Sequence, residues 1–149
     1  MQITTHSDYA LRLLLYLNAH PGRPVGIGQI AETYGISANH LAKVAQTLTH
    51  AGWVDTHRGR GGGLTLNPAV HQVTVGDIFR HTETNRRLVE CFGDDSTCPI
   101  EPACGLKTVL QKASQAFFAE LDRHHLNDLV RKPAALRKLI PVSIEGVSR

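Results

Sequence analysis

The sequence predicts a mainly α fold: a winged helix-turn-helix domain followed by a long C-terminal helix suited to dimerisation. Three observations predict it. Two short segments with helical apolar spacing meet at Gly35, a break where positive φ is easily reached. A β-hairpin pattern with a glycine-rich tip follows the second of them directly. Beyond it, residues 105–121 carry apolar side chains at three- and four-residue steps, just after a loop that holds every cysteine of the chain.

A chain of 149 residues makes one domain, or one small domain with an appendage, and 42% apolar residues suffice for a core. The organisation reads as a winged helix-turn-helix over 1–82, a cysteine loop over 83–104, a dimerisation helix and short following helix over 105–131, and a tail over 132–149. No run approaches the roughly 18 consecutive apolar residues of a membrane span. The first eight residues lack a basic region followed by an apolar run, so no secretory signal is expected. A soluble cytoplasmic protein follows, with reduced thiols as the ordinary state. The net charge of +3 permits nucleic-acid binding without arguing for it. That case must rest on where the charges sit.

Residues 7–19 read as the first helix, with Ser7 or Asp8 as its cap. Ala10, Leu11, Leu14, Leu15 and Leu17 form its apolar stripe, and Tyr16 is assigned to the core. Asp8 and Arg12 are spaced i and i+4, so composition alone makes Asp8 a cap with an ion-pair partner. Residues 28–34 form a second helix with Ile30, Ala31 and Tyr34 on one face. Ser37 caps a third that runs to about Ala51, with Leu41, Val44, Ala45 and Leu48 buried. Its other face carries Asn39, His40, Lys43, Gln46 and Thr47, side chains that donate to phosphates or read base edges. Helical hairpins of this shape also occur in proteins that never meet DNA.

The wing adds weight to the DNA reading. Residues 52–58 and 64–68 read as two strands around a tip in which Arg58 and Arg60 stand among glycines. Arginine in a narrow groove meets enhanced negative potential. Ser37, Asn39, His40, Lys43, Arg58 and Arg60 are therefore the candidate DNA-binding residues. Residues 75–82 form a short helix with Ile78 and Phe79 inward and Arg80 outward. Helix 105–121 has a seam of Val109, Leu110, Ala113, Ala116, Phe117 and Leu121, extended by Leu106, which fits a twin helix about a two-fold axis. Leu126–Val130 is a further short helix, and nothing after Lys132 fixes a fold.

Cys91, Cys98 and Cys104 lie within fourteen residues, in a stretch that proline, glycine and an Asp-Asp-Ser-Thr run keep irregular. Three thiolates on one short loop suit a soft metal centre, and an odd number fits a disulfide framework poorly. An iron–sulfur cluster leads. Structural zinc with a nearby histidine and a thiol redox switch are the other readings, and the absence of a C-x-x-C pair tilts away from zinc. Three ligands also leave a fourth to be found elsewhere. No nucleophile–base set on rigid elements points to an enzyme, and the nine histidines are scattered.

The residues carry a family resemblance at this point. Ser7-Asp-Tyr-Ala-Leu-Arg12, Gly35-Ile-Ser37, Leu41-Ala-Lys-Val44, the wing Arg58–Leu64, Val75-Gly-Asp-Ile78 and three cysteines ahead of a long helix resemble the Rrf2 family of bacterial winged-helix regulators over about residues 1–131. The nitric-oxide-sensing repressors of that family are the most similar branch, on Gly35–Lys43, Cys98–Cys104, Phe117–Asp122 and Leu126–Val130. The resemblance implies a homodimer on a palindromic operator in double-stranded DNA, with nitric oxide as signal. It implies an iron–sulfur cluster on Cys91, Cys98 and Cys104, with Asp8 of the partner subunit as fourth ligand of a [4Fe–4S] cluster and Arg12 steadying that carboxylate. The branch that governs cluster assembly instead uses a histidine three residues after the last cysteine. Lys107 stands there in this chain, which argues against that mode and its [2Fe–2S] cluster.

Overall fold

The structure, a computed structural model, describes residues 3–84 and 87–142. Helix α1 spans Thr5–Ala19, two residues ahead of the predicted start. Thr4 is its cap, accepting from the Ser7 N–H at 3.3 Å, so neither Ser7 nor Asp8 caps it. Ser7 is instead buried, its Oγ 2.7 Å from Oγ1 of Thr82. The hydroxyl is committed to a tertiary partner and so is withdrawn from the helix end. A pitch of 3.6 residues puts Ala10, Leu13, Leu14 and Leu17 on the buried stripe, with Tyr16 also buried. Leu11 and Leu15, predicted for that stripe, flank it half-buried, and Leu13 takes the central place.

Helix α2 (Ile27–Tyr34) ends at Gly35, whose φ of 63° turns the chain so that the Ile36 N–H reaches the Ala31 carbonyl at 2.9 Å. Helix α3 (Ala38–His50) is capped by Ser37 and buries Leu41, Val44, Ala45 and Leu48, as predicted. Together with α1 these helices enclose the core. Strands β1 (Val54–His57) and β2 (Gly63–Leu66) pair antiparallel, with Val54 opposite Leu66 and His57 opposite Gly63. Val25, expected in a loop, adds a third rung: its N–H and carbonyl exchange hydrogen bonds with Leu64 at 2.9 and 2.8 Å.

A 3-10 turn at Pro68–Gln72 buries Val70 and leads to α4 (Val75–Thr82), started by a reciprocal cap between Thr74 and Asp77. Helix α5 (Gly105–Leu121) matches the predicted span, and none of its residues is buried. Its lower end is fixed to α4. Phe117 meets Phe79 edge-on at 6.2 Å. The Arg80 guanidinium bonds Asp122 at 2.5 Å and Asp77 at 3.1 Å and lies over the Phe118 ring. The approach is close enough that a Cβ on Gly76 would meet Asp122 Oδ1.

The segment after α5 returns to the core. Leu126, at the start of a 3-10 turn (Leu126–Leu129), is fully buried. Helix α6 (Pro133–Leu139) forms where no element was predicted, and the sequence-based reading of residues after Lys132 is corrected accordingly. Proline starts the helix without losing a needed donor. Ile140 then enters the core, and the Tyr16 hydroxyl donates to the Pro141 carbonyl at 2.9 Å. Residues 143–149 of the predicted tail, and 85–86 of the predicted cysteine loop, lie outside the described residues. No helix among the described residues is long and apolar enough to cross a membrane.

Two glycines of the wing differ in why they are glycine. Both have positive φ, 75° at Gly61 and 154° at Gly63, but Gly61 has open space where a Cβ would point, whereas a Cβ on Gly63 would also lie 2.6 Å from the Val25 backbone. Gly61→Ala should cost about 1–2 kcal/mol for its left-handed backbone. Gly63→Ala should cost about 3 kcal/mol, because the Val25 rung must part. Urea melts of the two variants compare these costs, and equal values would dissociate Gly63 from the Val25 contact.

The α4–α5 joint carries a pH dependence. Asp122 is held below the ordinary aspartate range, chiefly by its hydrogen bond from Arg80, and Asp77 likewise, chiefly by the Thr74 hydroxyl and amide. A depressed carboxyl stabilises the fold above its ordinary range, and that contribution is lost as pH falls through the lowered value. Asp122→Asn should therefore melt below the wild type near neutrality, with the gap closing in acid. A gap that persists at the acid end would mean that Asp122 acts otherwise than through its charge.

Candidate nucleic-acid interface and cysteine site

The helix-turn-helix and the wing bring the candidate DNA residues onto exposed positions. Ser37 stands at the tip of the turn as the α3 cap, accepting from the His40 N–H at 3.4 Å. Asn39, His40 and Lys43 follow on the first two turns of α3, all exposed, opposite the face that Leu41, Val44 and Leu48 bury. This division follows from the i, i+3, i+4, i+7 placement of the apolar residues. Arg58 and Arg60 occupy the hairpin tip, also exposed. Lys43, Arg58 and Arg60 form no ion pair among the described residues, so no internal carboxylate offsets their charge.

The tip is shaped by its own glycines. Gly59 and Gly61 have φ of 91° and 75°, and the Gly62 N–H returns to the Gly59 carbonyl at 3.0 Å. A Cβ on Gly62 would sit 2.3 Å from the His57 carbonyl oxygen. The hairpin closure therefore requires glycine here. Below the tip, His57 Nε2 and Thr65 Oγ1 lie 2.7 Å apart across the strands, and the Asn67 amide donates to both oxygens of Asp55. The Arg-bearing tip thus projects from a cross-linked ribbon.

Cys91 lies in a 3-10 turn (Glu90–Phe92), Cys98 in the irregular stretch, and Cys104 directly ahead of α5. All three are free thiols and half-buried. Side-chain links fold the loop back on itself. Glu90 accepts from the N–H and hydroxyl of Thr97, Arg87 pairs with Asp95 at 2.7 Å, and Lys107 pairs with Glu101 at 2.5 Å. The Lys107 ammonium is held above the usual lysine range, first by its hydrogen bond to Glu101 and further by the charges of Glu101, Cys91 and Cys104. The thiols of Cys91 and Cys104 therefore share one electrostatic neighbourhood at the head of α5.

The donor chemistry fits a thiolate-held group: three free, partly shielded sulfurs within one short stretch of the chain. Among the described residues, no three His, Cys, Asp or Glu side chains stand together closely enough to hold a metal ion. Asp8 is not brought to the cysteines within the chain. It sits half-buried in the first turn of α1, with Arg12 at 2.9 Å, the i and i+4 pair that the spacing gave. Arg12 also lies over the Tyr34 ring.

Sequence reasoning missed the contacts that join these parts. The Ser7–Thr82 hydroxyl pair and the bonds from Thr4 to Glu83 pin the start of α1, beside Asp8, to the end of α4, where the cysteine segment begins. Neither hydroxyl carries a local signal, because the two residues are 75 positions apart. The Glu101–Lys107 pair was missed as well, and its i and i+6 spacing belongs to no regular helical pairing.

Comparison with known proteins gives a consistent result. The family model for Rrf2, described as an iron-dependent transcriptional regulator, matches residues 3–132. The HTH-type transcriptional regulator NsrR of Bacillus subtilis is 45% identical over 142 residues, covering 94% of this chain and 97% of the relative. That of Shouchella clausii is 41% identical, covering 94% and 95%. Among solved structures, the global cysteine regulator CymR of B. subtilis superposes with a TM-score of 0.70 at 29% identity, covering 87% of this chain and 95% of that one. IscR of T. potens superposes at 0.71 and 26% identity, covering 92% and 91%. The winged-helix architecture read from the sequence is the one these structures share. The chain belongs to the Rrf2 family, and it is a DNA-binding transcriptional regulator rather than an enzyme.

Proposed function

We propose that this regulator is a nitric-oxide-responsive repressor of the NsrR type, which binds a palindromic operator as a homodimer and carries an iron–sulfur cluster, [4Fe–4S] rather than [2Fe–2S]. The observation that carries the reading is the identity of 41–45% to NsrR regulators across 94% of the chain. The exposed upper seam of α5 supports the dimer. Leu106 and Val109 are 62% and 61% exposed, on a helix that buries nothing within its own chain. A second copy of that seam is the partner its chemistry fits.

Cys91, Cys98 and Cys104 would hold the group, with Asp8 of the partner subunit as its fourth ligand. Bound there, the group would supply iron sites open to nitric oxide. Arg12 orients the Asp8 carboxylate from one turn away. A carboxylate is a harder and weaker ligand for such iron than a thiolate, so Asp8 is the ligand that leaves first. While it is held, Asp8 ties the first turn of α1 to the other subunit. Ser7, its neighbour, carries that constraint to α4 through Thr82. The two α3 helices then present Asn39 and His40 to base edges about 34 Å apart, one turn of DNA. Lys43, Arg58 and Arg60 contact the phosphates or the minor groove. Release of Asp8 removes the tie, the spacing relaxes, and repression ends.

Anaerobically purified protein should contain about four iron and four sulfide per chain, and nitric oxide should bleach it as operator affinity falls. Asp8→Ala should leave the colour but make it more labile or shift its spectrum. About two iron and two sulfide would move the reading to a [2Fe–2S] sensor, and a colourless protein that still binds DNA would move it to thiol or zinc chemistry. An Asp8→Ala spectrum and stability identical to the wild type would return Asp8 to its ion pair with Arg12.

The wing has its own test. Arg60→Ala should weaken operator binding and lower the slope of log affinity against log salt by about one. A slope that does not change removes Arg60 from the interface.

A further inference from the structure

The Glu101–Lys107 ion pair at the end of the cysteine segment has no part in the proposed function. Lys107 stands three residues after Cys104, one turn along the same side of α5. Its ammonium donates to Glu101 Oε1 at 2.5 Å, and both side chains are largely shielded, at 28% and 26% exposed. Glu101 is in turn fixed to the second cysteine. Its N–H donates to the Cys98 carbonyl at 3.2 Å. The Ser96 hydroxyl accepts from the Cys98 N–H at 3.4 Å. One ion pair therefore stands between Cys98 and Cys104 at the head of α5, its Glu101 bonded to Cys98 through the main chain, and the charges of Cys91 and Cys104 add to the hold on its ammonium.

Three thiolates drawn to one centre concentrate negative charge, and a nearby cation offsets that repulsion in a partly shielded site. Lys107 has no acceptor to offer while it is protonated and paired, so it does not serve as a ligand. We propose that Lys107, latched by Glu101, is a charge-setting residue of the cysteine site that raises the reduction potential of the iron–sulfur group and helps to retain it. The inference rests on the reading of the three cysteines as cluster ligands. It adds that the local charge is set by a residue outside the ligand set. Lys107 is a positioning residue in this sense, acting on the group through its field alone.

The sign of the effect distinguishes charge from structure. An added electron is favoured beside a cation and disfavoured beside a carboxylate. Lys107→Gln should shift the reduction potential of the loaded, full-length protein downward, and Glu101→Gln should shift it upward. Lys107→Arg should restore a value near that of the wild type. The measurement is an anaerobic spectroelectrochemical titration, with iron and sulfide assayed on each protein. Shifts of the same sign in Lys107→Gln and Glu101→Gln, or no shift in either, overturn the proposal. Where Lys107→Gln retains no iron and sulfide, the loading of Lys107→Arg decides: recovery supports the charge role, and failure overturns it. A wild type without iron and sulfide removes the ligand reading and this inference together, whereas a loaded wild type with unresponsive variants removes the role of Lys107 alone.

Discussion

The contact on which the rest of this molecule depends is the one between Arg80 and Asp122. Helix α5 buries no residue in its own chain, so its direction relative to the winged helix is set by a small joint at its C-terminal end. Arg80 reaches across from α4 to Asp122 and to Asp77, and Asp77 closes the cap of its own helix with Thr74. Gly76 leaves the space into which Asp122 settles, and Phe79 and Phe117 supply the apolar half. Exposed ion pairs generally contribute little. This one matters because of its place: it is part of the packed joint between α4 and α5.

The same helix α4 has a second attachment at its other end. Thr82 holds Ser7, and Glu83 holds Thr4, so the start of α1 and the start of the cysteine segment are one mechanical unit. The core then links α1 to α3 through Leu13, Leu14, Leu41 and Val44. A displacement at the first turn of α1 therefore reaches α3 through packed side chains. Close-packed interiors transmit such displacements because they do not deform continuously.

The parts of this architecture that were legible in the sequence are those written in local patterns. The α3 face, the Ser37 cap, the Gly35 turn, the hairpin and the full span of α5 each follow from spacing or from a residue with a strong conformational preference. The three cysteines were legible by type and crowding. The illegible parts depend on partners far along the chain. Ser7 looked like a cap and is a tertiary anchor, and Thr4 caps in its place. Val25 looked like loop and is a strand rung because Gly63 admits it. Helix α6 was hidden because seven residues after a Lys-Pro step carry too little periodicity, and its position is fixed by Ile140 in a core built elsewhere. Of the candidate site, the sequence indicated candidate residues by their type and spacing. It did not indicate the Glu101–Lys107 latch, whose six-residue spacing has meaning only on the folded loop.

The closing of the core by Leu126 and Ile140 has a consequence for biosynthesis. Helix α1 is made first, yet part of what covers it is made last: Ile140 joins its core cluster, and Pro141 supplies the acceptor for the Tyr16 hydroxyl. A nascent chain that has emerged only through the wing still shows water a share of its α1 face. The reading head thus reaches its final packing only as the last described residues leave the ribosome, and a chain interrupted shortly before that point is left with exposed apolar surface of the kind that chaperones and proteases recognise.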